Sequence, residues 1–206
     1  MSMGRYDAVL FDFDGVLLDS EPVHFACWAE VLQPLGVDID WPYYQRYCIG
    51  LHDDLVIELL AARANPPLTP QDIWRLYPRK RESFLRKLQP APPFPQDLVS
   101  LLGGLCAYRL AVVTSSDRSE IEPLLEAGGI RRYFQALVCS GDVEEKKPAP
   151  APYLAAARLL GANAPLVVED SDNGVASGLA AGFDVLKVPS ASETAKAVAT
   201  RLKWPG

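Results

Sequence analysis

Short apolar runs rich in β-branched residues alternate along most of this chain with longer segments whose apolar positions return every three or four residues. The runs at residues 8–11, 110–114, 136–139, 166–168 and 185–188 have the length and composition of buried strands. The segments 119–127, 152–160 and 173–181 carry the helical period, and glycine follows or closes each of them (Gly128-Gly129, Gly161 and Gly182). Glycine just past a helix is a stop signal, because it adopts the left-handed conformation without a Cβ clash. Strands alternating with helices at this spacing predict an α/β fold, a doubly wound parallel sheet with helices on its faces.

Residues 21–89 break that alternation. Helical periodicity runs through 25–35, 54–64 and 71–88, with no run of strand quality between them. Prolines interrupt the pattern at Pro66-Pro67 and again at Pro90, Pro92, Pro93 and Pro95, and the second cluster reads as a linker. The prediction is an all-helical module, residues 20–89, inserted into an α/β core built from residues 1–19 and 90–206.

Composition narrows the class. A chain of 206 residues has room for one sizeable domain, or a medium core with a small second module. Hydrophobic residues at 49% and charged residues at 22% are those of a globular chain and argue against disorder. A net charge of −6 disfavours nucleic acid, whose phosphates need clustered cations. The densest basic stretch, Arg79-Lys80-Arg81 with Arg86-Lys87, falls on a predicted helix and reads as a solvated face. The longest apolar stretch, residues 98–113, contains Gly103, Gly104, Tyr108 and Arg109 and reads as a helix, a turn and a strand, so no membrane partner is expected. The cysteines Cys27, Cys48, Cys106 and Cys139 form no C-x-x-C pair and read as buried thiols of a reducing compartment. No leader pattern precedes the first strand, so a cytoplasmic location is expected, with a monomer as the default state.

The chemistry-bearing residues cluster just past four predicted strands. Asp12 and Asp14, in Phe11-Asp12-Phe13-Asp14-Gly15, end the first. Thr114, Ser115 and Ser116 end the second; Lys147, in Lys146-Lys147-Pro148-Ala149-Pro150, follows the third; Glu169-Asp170 ends the fourth. In a parallel sheet these edges face one way, so the four pieces converge on one crevice. Buried carboxylates at a strand end are costly unless paired, and a hard cation such as Mg²⁺ takes one or two carboxylates plus phosphate oxygens. A lysine offsets the charge of a phosphate dianion, and hydroxyls can hold phosphoryl oxygens. These are the parts of phosphoryl transfer, in which positioning and charge neutralisation do most of the work. Taken alone, Asp-x-Asp beside glycine is equally a capped turn, and Thr114 with Ser115 equally a helix cap.

The four pieces together resemble the haloacid dehalogenase (HAD) superfamily, in its β-phosphoglucomutase-like group of helical-cap phosphatases. The resemblance rests on the Asp12-to-Pro22 stretch, on Val112-Val113-Thr114-Ser115-Ser116, on Lys147-Pro148-Ala149-Pro150, and on Glu169-Asp170-Ser171-Asp172-Asn173-Gly174-Val175 with Ala180-Ala181-Gly182. It implies a Rossmann-like HAD core with an inserted helical cap, and a small phosphorylated metabolite as partner. Asp12 would be the nucleophile and Asp14 the general acid/base. Mg²⁺ would be bound by the Asp12 carboxylate, the Asp14 main-chain carbonyl and Asp170, with Glu169 direct or through water. Thr114 would hold the phosphoryl group, and Lys147, placed directly before the Pro-x-Pro turn, would bridge it to Asp12. An Asp at position 14 marks phosphate chemistry rather than carbon–halogen hydrolysis.

Substrate contacts are expected from Ser115, Ser116, His24, His52 and Lys80, with His24 and His52 equally readable as ordinary helix and loop residues. Trp28, Trp41, Trp74 and Trp204 read as packing residues. The first reading is a Mg²⁺-dependent phosphatase working through an aspartyl-phosphate on a sugar phosphate or related monoester. The alternatives are a β-phosphoglucomutase-type isomerase and, with less support, a non-enzymatic binder on the same scaffold. Against the isomerase, the position of its distal-phosphate arginine is occupied here by Asp53, which repels a second phosphate. Lys80 offers a second phosphate-side contact in its favour.

Overall fold

In the computed structural model, which describes residues 5–204, five parallel strands form one sheet: β1 (Ala8–Phe11), β2 (Arg109–Val113), β3 (Ala136–Val138), β4 (Pro165–Glu169) and β5 (Asp184–Lys187). Their order is β3-β2-β1-β4-β5. Going outward from β1 in both directions, the order reverses at the first strand, and a crevice opens at the carboxyl edge beside it. The predicted core unit also includes residues 1–4 and 205–206, which lie outside the described range.

Side-chain alternation gives the sheet two apolar faces. Val9, Phe11, Leu110, Val112, Leu166 and Val168 join one cluster with helices α6 (Gln96–Gly104), α7 (Arg118–Ala127) and α10 (Ala191–Leu202). Ala8, Leu10, Ala111, Val113 and Val167 join Tyr153, Ala156 and Leu160 of α8 (Ala151–Leu160) on the other face. That face is completed by α9 (Asp172–Ala180), where Gly178 lets the helix approach β4 and β5: a Cβ there would lie 2.8 Å from Val185.

Between β1 and α6 lie only helices: α1 (Glu21–Leu32), α2 (Trp41–Tyr47), α3 (Asp53–Arg63), α4 (Pro70–Trp74) and α5 (Tyr77–Leu88). They close around their own core of Trp28, Leu32, Ile57, Leu60 and Ile73. This is the helical cap. Its seat on the sheet domain is made by Cys27, Phe84 and Leu88, which belong to the larger core cluster.

Two features of the cap differ from expectation. The helix expected over 71–88 is two helices, because Pro78 fits the first turn of a new helix but cannot continue an old one. Helix α2 was not anticipated; its start is fixed by Asp40, whose carboxylate accepts the Tyr43 N–H at 2.7 Å. Three cysteines are buried as expected, but Cys106 is exposed, on the turn between α6 and β2. Trp74 is also 39% exposed, although it packs against Tyr77. Among the described residues no helix is long and apolar enough to cross a membrane.

Candidate active site

The carboxyl edge of the sheet brings the four predicted pieces together. Asp12 and Thr114 each continue a strand by one further hydrogen bond, Asp12 N–H to Val168 at 2.9 Å and Thr114 N–H to Val138 at 2.9 Å. Each functional residue therefore inherits the rigidity of a buried strand.

Lys147 ties the pieces to one another. Its ammonium, almost wholly buried, donates to Asp12 Oδ1 at 2.6 Å, to Glu169 Oε1 at 2.6 Å and to the Val113 carbonyl at 2.9 Å. Those partners end β1, β4 and β2. Burial opposes the charge on Lys147, but Asp12 and Glu169 outweigh it and hold the ammonium protonated, above its ordinary range. Glu169 is fully buried and saturated: Tyr153 donates to Oε1 at 2.7 Å, and the N–H groups of Asp170 and Ser171 reach Oε2 at 3.0 and 3.2 Å. Two glycines make room for this packing. A Cβ at Gly174 would lie 1.7 Å from Glu169 Oε1, and one at Gly15 would lie 2.2 Å from Asp170 Oδ2. Gly15 also has φ of +74°, which an L side chain rarely adopts.

Asp12, Glu169 and Asp170 offer carboxylate oxygens that all lie within 4.8 Å of one another. Burial pushes the Asp12 carboxyl well up; Lys147 opposes this, and the acids Glu169, Asp170 and Asp14 add to it. Burial, then Glu169 and Asp14, raise Asp170 to about 7. Three crowded acids with only one lysine between them are short of positive charge, and all their donor atoms are oxygens. That donor set fits a hard divalent cation such as Mg²⁺. The Asp14 side chain is not part of this trio.

The Asp14 carboxylate turns to the opposite wall. It accepts from Ser116 Oγ at 2.7 Å, from Ser20 Oγ through a short contact, and from Thr114 Oγ1 at 3.4 Å, with His24 Nε2 at 3.3 Å. Burial alone would raise this acid, but His24 and the serine hydroxyls hold it well below the ordinary carboxylate range. His24 is itself buried and stacked on Phe84, with ring centroids 4.1 Å apart. Burial and the Lys80 charge work against a proton on His24, yet Asp14 and Glu120 raise its pKa. The resting pair is an ionised Asp14 beside a histidine biased toward its acid form.

Ser115 and Ser116, with Asp12, Asp14, Lys147 and Asp170, line a cavity of ≈ 40 Å³, roofed by Gly50 and Leu51 of the cap. Thr114 lies behind them, its Oγ1 accepting the Ser116 N–H at 3.0 Å. Two expected substrate contacts stand elsewhere. Lys80 is not on a solvated face and does not reach the cavity: it is fully buried between cap and core, with Nζ 3.0 Å from Glu120 Oε1. His52 precedes α3 and points its Nδ1 to within 3.4 Å of Asp54, and it does not line the cavity. Ser20, Tyr153 and Ser171 were missed as site residues, and Glu120 as the partner of Lys80. Ser20 and Ser171 lie inside the quoted motifs, but nothing local in the sequence marks Tyr153 or Glu120.

Comparisons with known proteins bear on the family and the fold. The sequence model of the haloacid dehalogenase-like hydrolases matches residues 9–188. The chain is 32% identical to fructose-1-phosphate phosphatase YqaB of Escherichia coli K12, over 89% of this chain and 97% of that one. It is also 32% identical to hexitol phosphatase B of the same strain, over 89% of this chain and 83% of that one. Among solved structures, a mutant of CbbY from Rhodobacter sphaeroides in complex with xylulose-(1,5)bisphosphate superposes with a TM-score of 0.78. It is 28% identical, over 90% of this chain and 87% of that one.

Proposed function

The chain belongs to the haloacid dehalogenase-like hydrolase family, and from that premise we propose that it is a Mg²⁺-dependent phosphatase of small phosphorylated carbohydrates, working through an aspartyl-phosphate on Asp12. The observation that carries the proposal is the Lys147 ammonium, which joins Asp12 to Glu169 inside a trio of oxygen donors. Relatives named for fructose 1-phosphate and hexitol phosphate support the carbohydrate class.

In the proposed reaction, an Asp12 carboxylate oxygen attacks phosphorus and the ester P–O bond breaks. Asp14, protonated from solvent in the first turnover and from the attacking water in each later one, gives its proton to the departing alkoxide. A water then attacks the aspartyl-phosphate, its proton passes to Asp14, and the Asp12–phosphorus bond breaks to release phosphate. Splitting one displacement into two is the advantage of the covalent route. Lys147 favours the ionised, attacking form of the Asp12 carboxylate against the burial and neighbouring acids that raise it. Ser115 offers hydroxyl and amide donors to the transferring oxygens, the Thr114 and Ser116 hydroxyls can turn to them from Asp14, and His24 keeps a partner on the Asp14 carboxylate. Asp12, Asp170 and the Asp14 carbonyl would hold Mg²⁺, with Glu169 in or behind the ligand set. The cation supplies Lewis-acid neutralisation of the phosphoryl charge.

The isomerase alternative loses ground at Asp53. Its carboxylate accepts the Tyr77 hydroxyl at 2.7 Å, an anionic group where a distal phosphate needs a cation. The deciding experiment measures phosphate release from p-nitrophenyl phosphate and a panel of sugar and polyol phosphates, with and without excess chelator. Mg²⁺-dependent release on a sugar phosphate is expected; undiminished turnover in chelator removes the metal role. Conversion of β-glucose 1-phosphate without net phosphate release would establish the isomerase instead.

A further inference from the structure

The two walls of the cavity are joined at one point by a pair of opposite charges. On the core side, Lys146 immediately precedes Lys147, which lines the cavity. On the cap side, Asp54 sits in the first turn of α3, just after the roof residues Gly50 and Leu51. The Lys146 ammonium and the Asp54 carboxylate are in direct contact across this seam. Other cations nearby are already committed: Lys147 to Asp12 and Glu169, and Lys80 to Glu120. The adjacent Asp53 accepts the Tyr77 hydroxyl within the cap. The leaving group of a substrate therefore meets an apolar residue, serine hydroxyls and acids. His52, outside the cavity lining, turns its Nδ1 to within 3.4 Å of the same Asp54 carboxylate.

We propose that Asp54 is a specificity-determining residue: by occupying Lys146 it takes from the seam beside the cavity a cation that a second phosphate would use. The site then takes phosphomonoesters of uncharged alcohols and turns away bisphosphates. This rests on the phosphatase reading above. Lys146 and Asp54 are partly exposed, at 26% and 45% of their side chains, so water screens the pair and the effect is moderate.

The test compares fructose 1-phosphate with fructose 1,6-bisphosphate, each rate divided by that variant's rate on p-nitrophenyl phosphate. Wild type is expected to prefer the monophosphate. Asp54→Asn should raise the bisphosphate-to-monophosphate ratio of kcat/KM by about threefold or more, through KM, with the gain shrinking as salt is added. Adding Lys146→Met to Asp54→Asn should cancel the gain. Asp54→Ser must behave like Asp54→Asn, and thermal melts report whether either variant misfolds. An unchanged ratio in both Asp54 variants overturns the proposal, as does a gain that survives loss of Lys146. Arg46 lines an open groove that continues from Gly50 and Ser171. A wild type that already prefers the bisphosphate, and loses that preference in Arg46→Ala, would overturn it too. Absence of any Mg²⁺-dependent release, p-nitrophenyl phosphate included, would instead bring down the phosphatase reading and this inference with it.

Discussion

Asp12 and Asp14 lie two residues apart and inhabit opposite electrostatic surroundings. Asp12 is crowded by acids and held by Lys147, whereas Asp14 is surrounded by donors from Ser20, His24 and Ser116. Environment separates their roles, as it does wherever two carboxylates share one reaction. Asp12→Asn is expected to abolish turnover and leave no acyl-phosphate to trap by rapid quench. Asp14→Asn should keep the attack geometry, so p-nitrophenyl phosphate, with its good leaving group, should suffer less than a sugar phosphate. The difference should reach roughly 10²–10⁴-fold, the usual worth of a general acid. Equal losses on both substrates would refute this division. Gly15 gives a second test on the metal side. Gly15→Ala sets a methyl 2.2 Å from Asp170 Oδ2 at a φ of +74°, so Asp170 must move. The Mg²⁺ concentration for half-maximal activity should rise by about tenfold or more, in the range seen when a ligand's support is disturbed.

At the scale of elements, strand ends were readable and tertiary partners were not. Four of the strands are short, almost wholly buried runs and β5 is half-buried, so composition located them, and most of the candidate site residues follow them directly. The cap was harder because its helices are held by contacts between helices. The short α2 depends on a single Asp40 cap, and the basic face read along α5 hides a lysine turned inward. Glu120 lies forty residues from Lys80, and no local pattern links them. That pair makes its own prediction. A buried ion pair contributes little net stability but leaves a costly orphan when broken. Lys80→Met and Glu120→Leu should each destabilise the protein by about 3–5 kcal/mol in urea melts, while the double variant recovers most of the loss. Since Lys80 is spent on Glu120 and does not line the cavity, the double variant should also retain turnover of p-nitrophenyl phosphate.

At the scale of the molecule, the sheet domain supplies reaction chemistry and the cap supplies enclosure. The cavity of ≈ 40 Å³ has space for a few waters, and an open groove continues from it past Gly50, Asp170 and Ser171, so a bulky leaving group must extend along that groove or widen the seam between cap and core. The contacts holding the closed form are unequal. One flank is sealed by Lys80 and Glu120, fully buried, with Phe84 and Leu88 in the shared core. The other is fastened by the partly exposed Lys146–Asp54 pair and by Asn173 Nδ2 donating to the Gly50 carbonyl at 3.1 Å. Opening should therefore begin at the exposed flank and pivot on the buried one, so that water is expelled only when a substrate draws the seam shut. Hydrogen exchange can follow this directly. Amides of residues 49–55 should exchange faster in the free protein than with Mg²⁺ and orthovanadate bound, while those of α5 around Lys80 should be protected in both. Equal protection of the two flanks in the free protein would show that the molecule opens some other way.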